Sequence, residues 1–185
     1  MTNNSIVYSF GVGEDVTFDL ALIKQYGLNI YAFDPTPRAI EFVEKEDLPP
    51  QFYFEGVGIS DKDEFVNFYL PANEMHVSGS VIDKNEGVEP IEVEMKKIST
   101  IMKSLNHSQI DLLKMDIEGS EYAVLDNMLD EGIYPKQLCV EFHHRFPQIG
   151  LNQTKEIIQK LNTAGYKIVK ISDHGQEYTF LLYRH

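Results

Sequence analysis

The stretch VYSFGVGEDVTFDLAL, Val7 to Leu22, decides the fold. It opens with an apolar run fit for a buried strand, breaks at a glycine pair, and continues as a helical run toward Gly27, a residue suited to stopping a helix. Strand, glycine turn and helix in this order form the first unit of an open parallel sheet. Such sheets bind ligands beyond the carboxyl ends of their strands, where strand order reverses. Gly11 and Gly13 fall at such an end. Lacking Cβ atoms, they let a ligand approach the backbone, and the helix that follows offers N–H groups and a positive dipole end.

The same rhythm runs along the whole chain. LNIYAFD reads as a second strand and TPRAIEFVEKE as a helix, with Thr36 as its cap and Pro37 at its first position. QFYFEGVGIS reads as a third strand, EFVNFYL and PIEVEMKKI as additional strands, and STIMKSLN as a short helix. QIDLLKMD and QLCVEFHH are strands, each followed by a helix, SEYAVLDNMLDEG and NQTKEIIQKLNTAG. YKIVKIS, the turn DHGQ and EYTFLLYRH form a closing antiparallel hairpin. Alternating strands and helices predict an α/β fold with a mostly parallel sheet covered by helices on both faces. A single domain over residues 1–185 is expected.

Composition limits the partners. Sixteen Lys and Arg face 29 Asp and Glu, a formal charge of −13 that repels nucleic acid, and no basic patch offsets it. No apolar run is long enough to span a bilayer, so no membrane insertion is expected, and no secretory signal is read at the start. Cys139, the only cysteine, lies in an apolar run and reads as a core thiol. A chain without an internal disulfide fits a reducing, cytoplasmic location.

The glycine turn narrows the ligand. A dinucleotide site wants a third glycine where Val16 stands, and the pair Glu14–Asp15 occupies the place of a pyrophosphate. No G-K-[ST] follows, so a Walker loop is absent as well. Asp34 ends the second strand, 21 residues beyond Gly13, where an acid accepts both hydroxyls of a ribose. Its alternative role is to cap the DPTP turn. An adenosyl ligand without phosphates fits these features, and S-adenosylmethionine is the expected cofactor.

IDLLKMDIEGSEYAVL, Ile110 to Leu125, is the most specific stretch. Together with VYSFGVGEDVTFD, YAFDPTP and VEFHHR it resembles the FkbM-like family of S-adenosylmethionine-dependent methyltransferases, over nearly the whole chain. The resemblance implies a class I methyltransferase (Rossmann-like) fold, with seven strands in one sheet and the last antiparallel. It also implies methylation of hydroxyl oxygens, often on sugars or polyketide-like products. Cofactor contacts are then expected at Gly11, Gly13, Asp15, Asp34, Pro35 and Asp116, and beside the adenine at Gly58, Ile59 and Ser60. Two departures bear on this set: Ser9 replaces the usual first-strand acid, and Asp15 replaces a usual glycine.

Methyl transfer to oxygen needs alignment and a group to take the acceptor's proton. Lys114, Asp116, Glu118 and Glu121 cluster at the end of the fourth strand, and Glu141, His143 and His144 at the end of the fifth. His143 is the expected general base, with Glu118 or Glu141 orienting it or the acceptor hydroxyl and Asp116 nearby; His144 is the alternative base. Glu121 reads as an acid favoured by the helix dipole, and Lys114 as a residue reaching outward. Carboxylates and histidines converging at two strand ends could also hold a divalent metal, but no tight ligand spacing is present, so no metal is expected. The loop HVSGSVID, His76 to Asp83, either covers the acceptor or simply connects strands. Two further readings compete: a catalytically idle methyltransferase-like binding module, and a nicotinamide-dependent oxidoreductase. The missing third glycine counts against the latter.

Overall fold

In a computed structural model, which describes residues 1–68 and 90–183, the opening stretch folds as its pattern predicts. Ile6–Phe10 is β1, Thr17–Tyr26 is α1, and Gly27 ends that helix in a left-handed conformation. β2 (Asn29–Phe33) and α2 (Pro37–Lys45) follow, with the Thr36 hydroxyl accepting from the Ala39 N–H as the cap.

The stretch read as one third strand is two. β3 (Phe52–Glu55) pairs with β2 in the main sheet. The chain then turns, and β4 (Gly58–Ile59) joins β5 (Glu64–Phe68) and β6 (Ile91–Lys96) in a separate three-stranded sheet. Gly58 fits that sheet because a Cβ there would stand 2.3 Å from the Met95 sulfur. α3 (Ile98–Ser104), β7 (Leu112–Met115), α4 (Glu121–Asp130), β8 (Gln137–Glu141), α5 (Gly150–Thr163) and the hairpin β9 (Tyr166–Ile171) and β10 (Glu177–Leu182) complete the chain. The loop His76 to Asp83 lies outside the described residues.

Among the described residues the main sheet has seven strands in the order β3-β2-β1-β7-β8-β10-β9. The first five are parallel, and β10 runs antiparallel to β8 and β9. Central strands such as β1 and β7 are buried on both faces by helices and are apolar except at Ser9 and Lys114. Tyr8, Phe10, Leu113, Met115, Leu138 and Val140 pack into one core with residues of α4 and α5. Their strand neighbours Val7, Ile30, Ala32 and Leu112 pack into a second core with residues of α1. Cys139 is only partly buried and rests against that second core. Among the described residues, no helix is long and apolar enough to cross a membrane.

Strand order reverses between β1 and β7, so the carboxyl ends of β2, β1 and β7 open onto one cleft.

Candidate active site

The cleft has a volume of about 420 Å³. Phe10, Phe33, Ile59, Phe68 and Met95 supply apolar walls, the last three from the small sheet. Glu14, Asp15, Asp34, Asp116 and Glu118 also line it, and no Lys, Arg or His does so among the described residues. Of the expected cofactor contacts, Gly11, Gly13, Asp15, Asp34, Pro35, Ile59 and Asp116 border the cleft. Gly58 and Ser60 do not. Gly58 is spent on packing against Met95, and the Ser60 hydroxyl donates to Asp61.

The two glycines serve different needs. Gly11 has φ +80° and lies against β7: a Cβ there would stand 1.7 Å from the Asp116 carbonyl oxygen. Its missing Cβ therefore lets two strand ends approach, rather than a ligand. Gly13, at φ +56°, has open space where its Cβ would be, and its N–H donates to Asp34 Oδ2 at 2.9 Å. Asp34 Oδ1 accepts from the Thr36 N–H at 2.9 Å and from the Thr36 hydroxyl at 2.6 Å. One carboxylate thus both ties the DPTP turn and fixes the glycine turn while bordering the cleft. Asp15 accepts from the Thr17 N–H, the first amide of α1, at 2.8 Å, which holds the Asp15 carboxyl below its ordinary pKa.

Lys114 does not reach outward. Strand register sets Ser9, Lys114 and Cys139 side by side on the face under α1, and the Lys114 ammonium donates to the Gly11 carbonyl at 2.8 Å. Asp19 of α1 is fully buried, and its carboxylate makes no hydrogen bond among the described residues. Burial raises its pKa, opposed by the charge of Lys114. An acid thus does lie near Ser9, supplied by the helix instead of the strand.

At the ends of β7 and β8 the decisive residue is Glu121. It shares the inner face of α4 with Val124, Leu125 and Met128, so it is carried fully into the core. Its Oε1 accepts from the N–H groups of Ile117 and Gly119, each at 3.1 Å, and meets His143 Nδ1 at 2.8 Å. With Nδ1–H donated to Glu121, His143 turns Nε2 toward Asp116 Oδ1 at 3.7 Å and Glu118 Oε2 at 3.5 Å. The carboxylate that orients the imidazole is therefore Glu121, not Glu118 or Glu141. Strand β8 ends at Glu141, so its alternation of faces does not extend to His143, and the charge of Glu141 acts on Asp116.

His143 is 5 % exposed. Burial opposes its charge, but the hydrogen bond and charge of Glu121, with Glu118 and Asp116, raise its pKa to about 9. Asp116 is pushed up to about 6, first by burial and then by Glu141, against the pull of Lys114 and His143. His144 is lowered by burial and by the neighbouring charges of Arg145 and His143. Glu118, at the turn into α4, has φ +54°, a left-handed conformation uncommon for a residue with a long side chain.

Comparison with known proteins agrees with this architecture. The fibrillarin pre-rRNA processing protein of Methanococcus jannaschii superposes with a TM-score of 0.58 at 12% identity, over 98% of this chain and 67% of that one. A methyltransferase of Podospora anserina, PaMTH1, solved with S-adenosylhomocysteine bound, gives 0.55 at 9% identity, over 97% and 72%. Similarity at this level concerns the fold, which is that of class I Rossmann-like methyltransferases. In sequence, the human probable methyltransferase-like protein 24 is 24% identical over 143 residues, 76% of this chain and 33% of the relative. The chain therefore spans about a third of the length of that curated relative. The family described as the methyltransferase FkbM domain matches residues 5–168, and the chain belongs to that family.

Proposed function

We propose that this domain transfers a methyl group from S-adenosylmethionine to a hydroxyl oxygen of a small molecule or glycan, and that it takes no nucleic acid. The observation that carries this reading is the charge of the cleft: five carboxylates and no cationic side chain border it among the described residues. A pyrophosphate would meet an excess of negative charge there, only partly offset by the pairing of Glu14 with Arg38, whereas a sulfonium nucleoside is electrostatically favoured. Open space at Gly13 leaves room over the turn, Asp34 stands at the ribose position, and the apolar wall at Ile59 and Phe33 suits a purine. When bound, S-adenosylmethionine supplies an electrophilic methyl and retains the bonding electron pair on sulfur.

The chain's own part is to place the acceptor and receive its proton. Asp116 borders the cleft, and with its pKa raised to about 6 it stays ionised at neutral pH while being a stronger base than an ordinary aspartate. His143, favoured in its protonated form by Glu121, Glu118 and Asp116, supplies positive charge beside it, and Glu121 fixes the orientation of the ring. In this reading the base role expected for His143 passes to Asp116, and His143 becomes its partner.

Two measurements test the reading. Labelled methyl transfer is screened against small-molecule and glycan acceptors, with the methylated atom identified by mass spectrometry. Calorimetry compares S-adenosylmethionine with NAD on wild type and Asp34→Asn. S-adenosylmethionine should bind and NAD should not, and Asp34→Asn should lose about 10-fold or more in affinity, the worth of a charge-assisted hydrogen bond. Methyl found on nitrogen or carbon would overturn the hydroxyl assignment, and equal binding of NAD would overturn the cofactor.

A further inference from the structure

We propose that Asp116, Glu118 and His143 form a binding site for one divalent transition-metal ion at the edge of the cleft. One donor atom from each lies within 4.8 Å of the others. His143 Nε2 stands 3.7 Å from Asp116 Oδ1 and 3.5 Å from Glu118 Oε2, too long for good hydrogen bonds. Donors bound to one ion at about 2.1 Å are separated by roughly 3.0 to 4.2 Å, and both distances fall in that range.

A pair of acids at a turn is common without an ion. The independent observation here is the imidazole. His143 is 5 % exposed, and Glu121 fixes it through Nδ1, so that Nε2 points between the two carboxylates without a hydrogen bond of its own among the described residues. A carboxylate holding one ring nitrogen so that the other faces an ion is the recurrent arrangement behind metal-ligating histidines. Glu121 is itself anchored by the Ile117 and Gly119 N–H groups, so the orientation is built into the α4 turn. One imidazole and two carboxylates suit manganese or zinc better than calcium, whose sites are built from oxygen donors. Asp116 and Glu118 both border the cleft, so the ion's remaining positions face it. Binding of the ion is independent of the methyl-transfer reading. The ion takes the place of the Nε2 proton of His143 and of its positive charge, and Asp116 then holds the ion. The use of the ion, to polarise an acceptor hydroxyl and make it more acidic, rests on that reading.

The test titrates Mn²⁺ into the EDTA-treated, dialysed full chain without cofactor or acceptor, followed by electron paramagnetic resonance. One saturable site is expected, with hyperfine coupling to an imidazole nitrogen. His143→Gln should remove that coupling and weaken binding at least 10-fold, as should Asp116→Asn. Glu121→Gln should weaken it by about 10- to 100-fold without removing a ligand. Glu44→Gln, an exposed acid on α2, should leave it unchanged and so reports on diffuse attraction to the acidic surface. Absence of nitrogen coupling in the wild type would overturn the proposal even if the variants fail to fold, as would equal affinity in a folded His143→Gln. S-adenosylmethionine binding is measured on the same preparation. Its absence beside an intact Mn²⁺ site would sink the methyl-transfer reading alone, and the reverse would sink the metal site alone.

Discussion

The left-handed backbone at Glu118 yields a prediction in which stability and function pull apart. Residues with a Cβ pay about 1–2 kcal/mol in that conformation, and asparagine pays less because its short side chain bonds locally. Among the described residues, the other non-glycine position with positive φ is an asparagine, Asn106 at φ +55°. Glu118, at φ +54°, is followed by Gly119 at φ +104°, where a Cβ would stand 2.9 Å from the Ile149 side chain, so the turn has little room to relax. Glu118→Asn and Glu118→Gln both remove the carboxylate beside Asp116 and His143, so the electrostatic change cancels between them. What differs is the cost of the backbone. The asparagine variant should be more stable than the glutamine variant by about 1 kcal/mol, or roughly 2–4 °C in Tm for a chain of this size. Urea and thermal denaturation at one pH, after EDTA treatment, measure this, and both variants should lose methyl transfer. Equal stability, or a more stable glutamine variant, would refute the claim that the backbone there is held at a cost to aim a carboxylate into the cleft.

The two glycines of the turn should respond differently to alanine. Gly11→Ala places a Cβ on the Asp116 carbonyl and should destabilise by more than about 3 kcal/mol, while Gly13→Ala meets open space and should cost about 1 kcal/mol, both read from urea denaturation. Asp19→Asn should stabilise the protein at neutral pH. Burial raises the Asp19 pKa in the folded state, so its stabilising contribution is full below the ordinary carboxylate pKa and is lost as pH rises through the raised value. The gain from Asp19→Asn should therefore grow from acid to neutral pH and then level off, and a pH-independent difference in a urea series would show that Asp19 does not titrate abnormally.

Much of the fold was legible because its signals are local. Thr36 before Pro37, Gly27 after α1, and the apolar runs of β1 and β7 each fix one boundary, and alternation of strands and helices fixes the sheet type. The break between β3 and β4 was not legible. FYFEGVGI reads as one apolar strand, and only the pairing of β4 with β6, 37 residues on, separates the two segments. Sequence spacing likewise does not reveal that Gly11 is required by the Asp116 carbonyl, since that contact joins residues 105 positions apart.

The site divides along the same line. That Asp116, Glu118 and His143 lie at neighbouring strand ends follows from parallel order alone, and the family motif singles out the same stretch. Which carboxylate holds the histidine does not follow, because β8 stops at Glu141 and its alternation no longer governs His143. A usable signal was nevertheless present. Glu121, Val124, Leu125 and Met128 share one face of a helix, so an acid stands at the end of an apolar stripe. An acid in the first turn of a helix is favourable at the surface, but one on the buried face needs partners to offset its desolvation. Here the partners are two backbone N–H groups and an imidazole. An acid on an apolar helical stripe, with a histidine at the next strand end, is thus the pattern that should direct attention to a built site. It also explains why linear spacing argued against a metal: the three donors come from the β7 end, the α4 turn and the β8 end, and the residue that ties the turn to the imidazole is Glu121, which the dipole alone accounted for in the sequence.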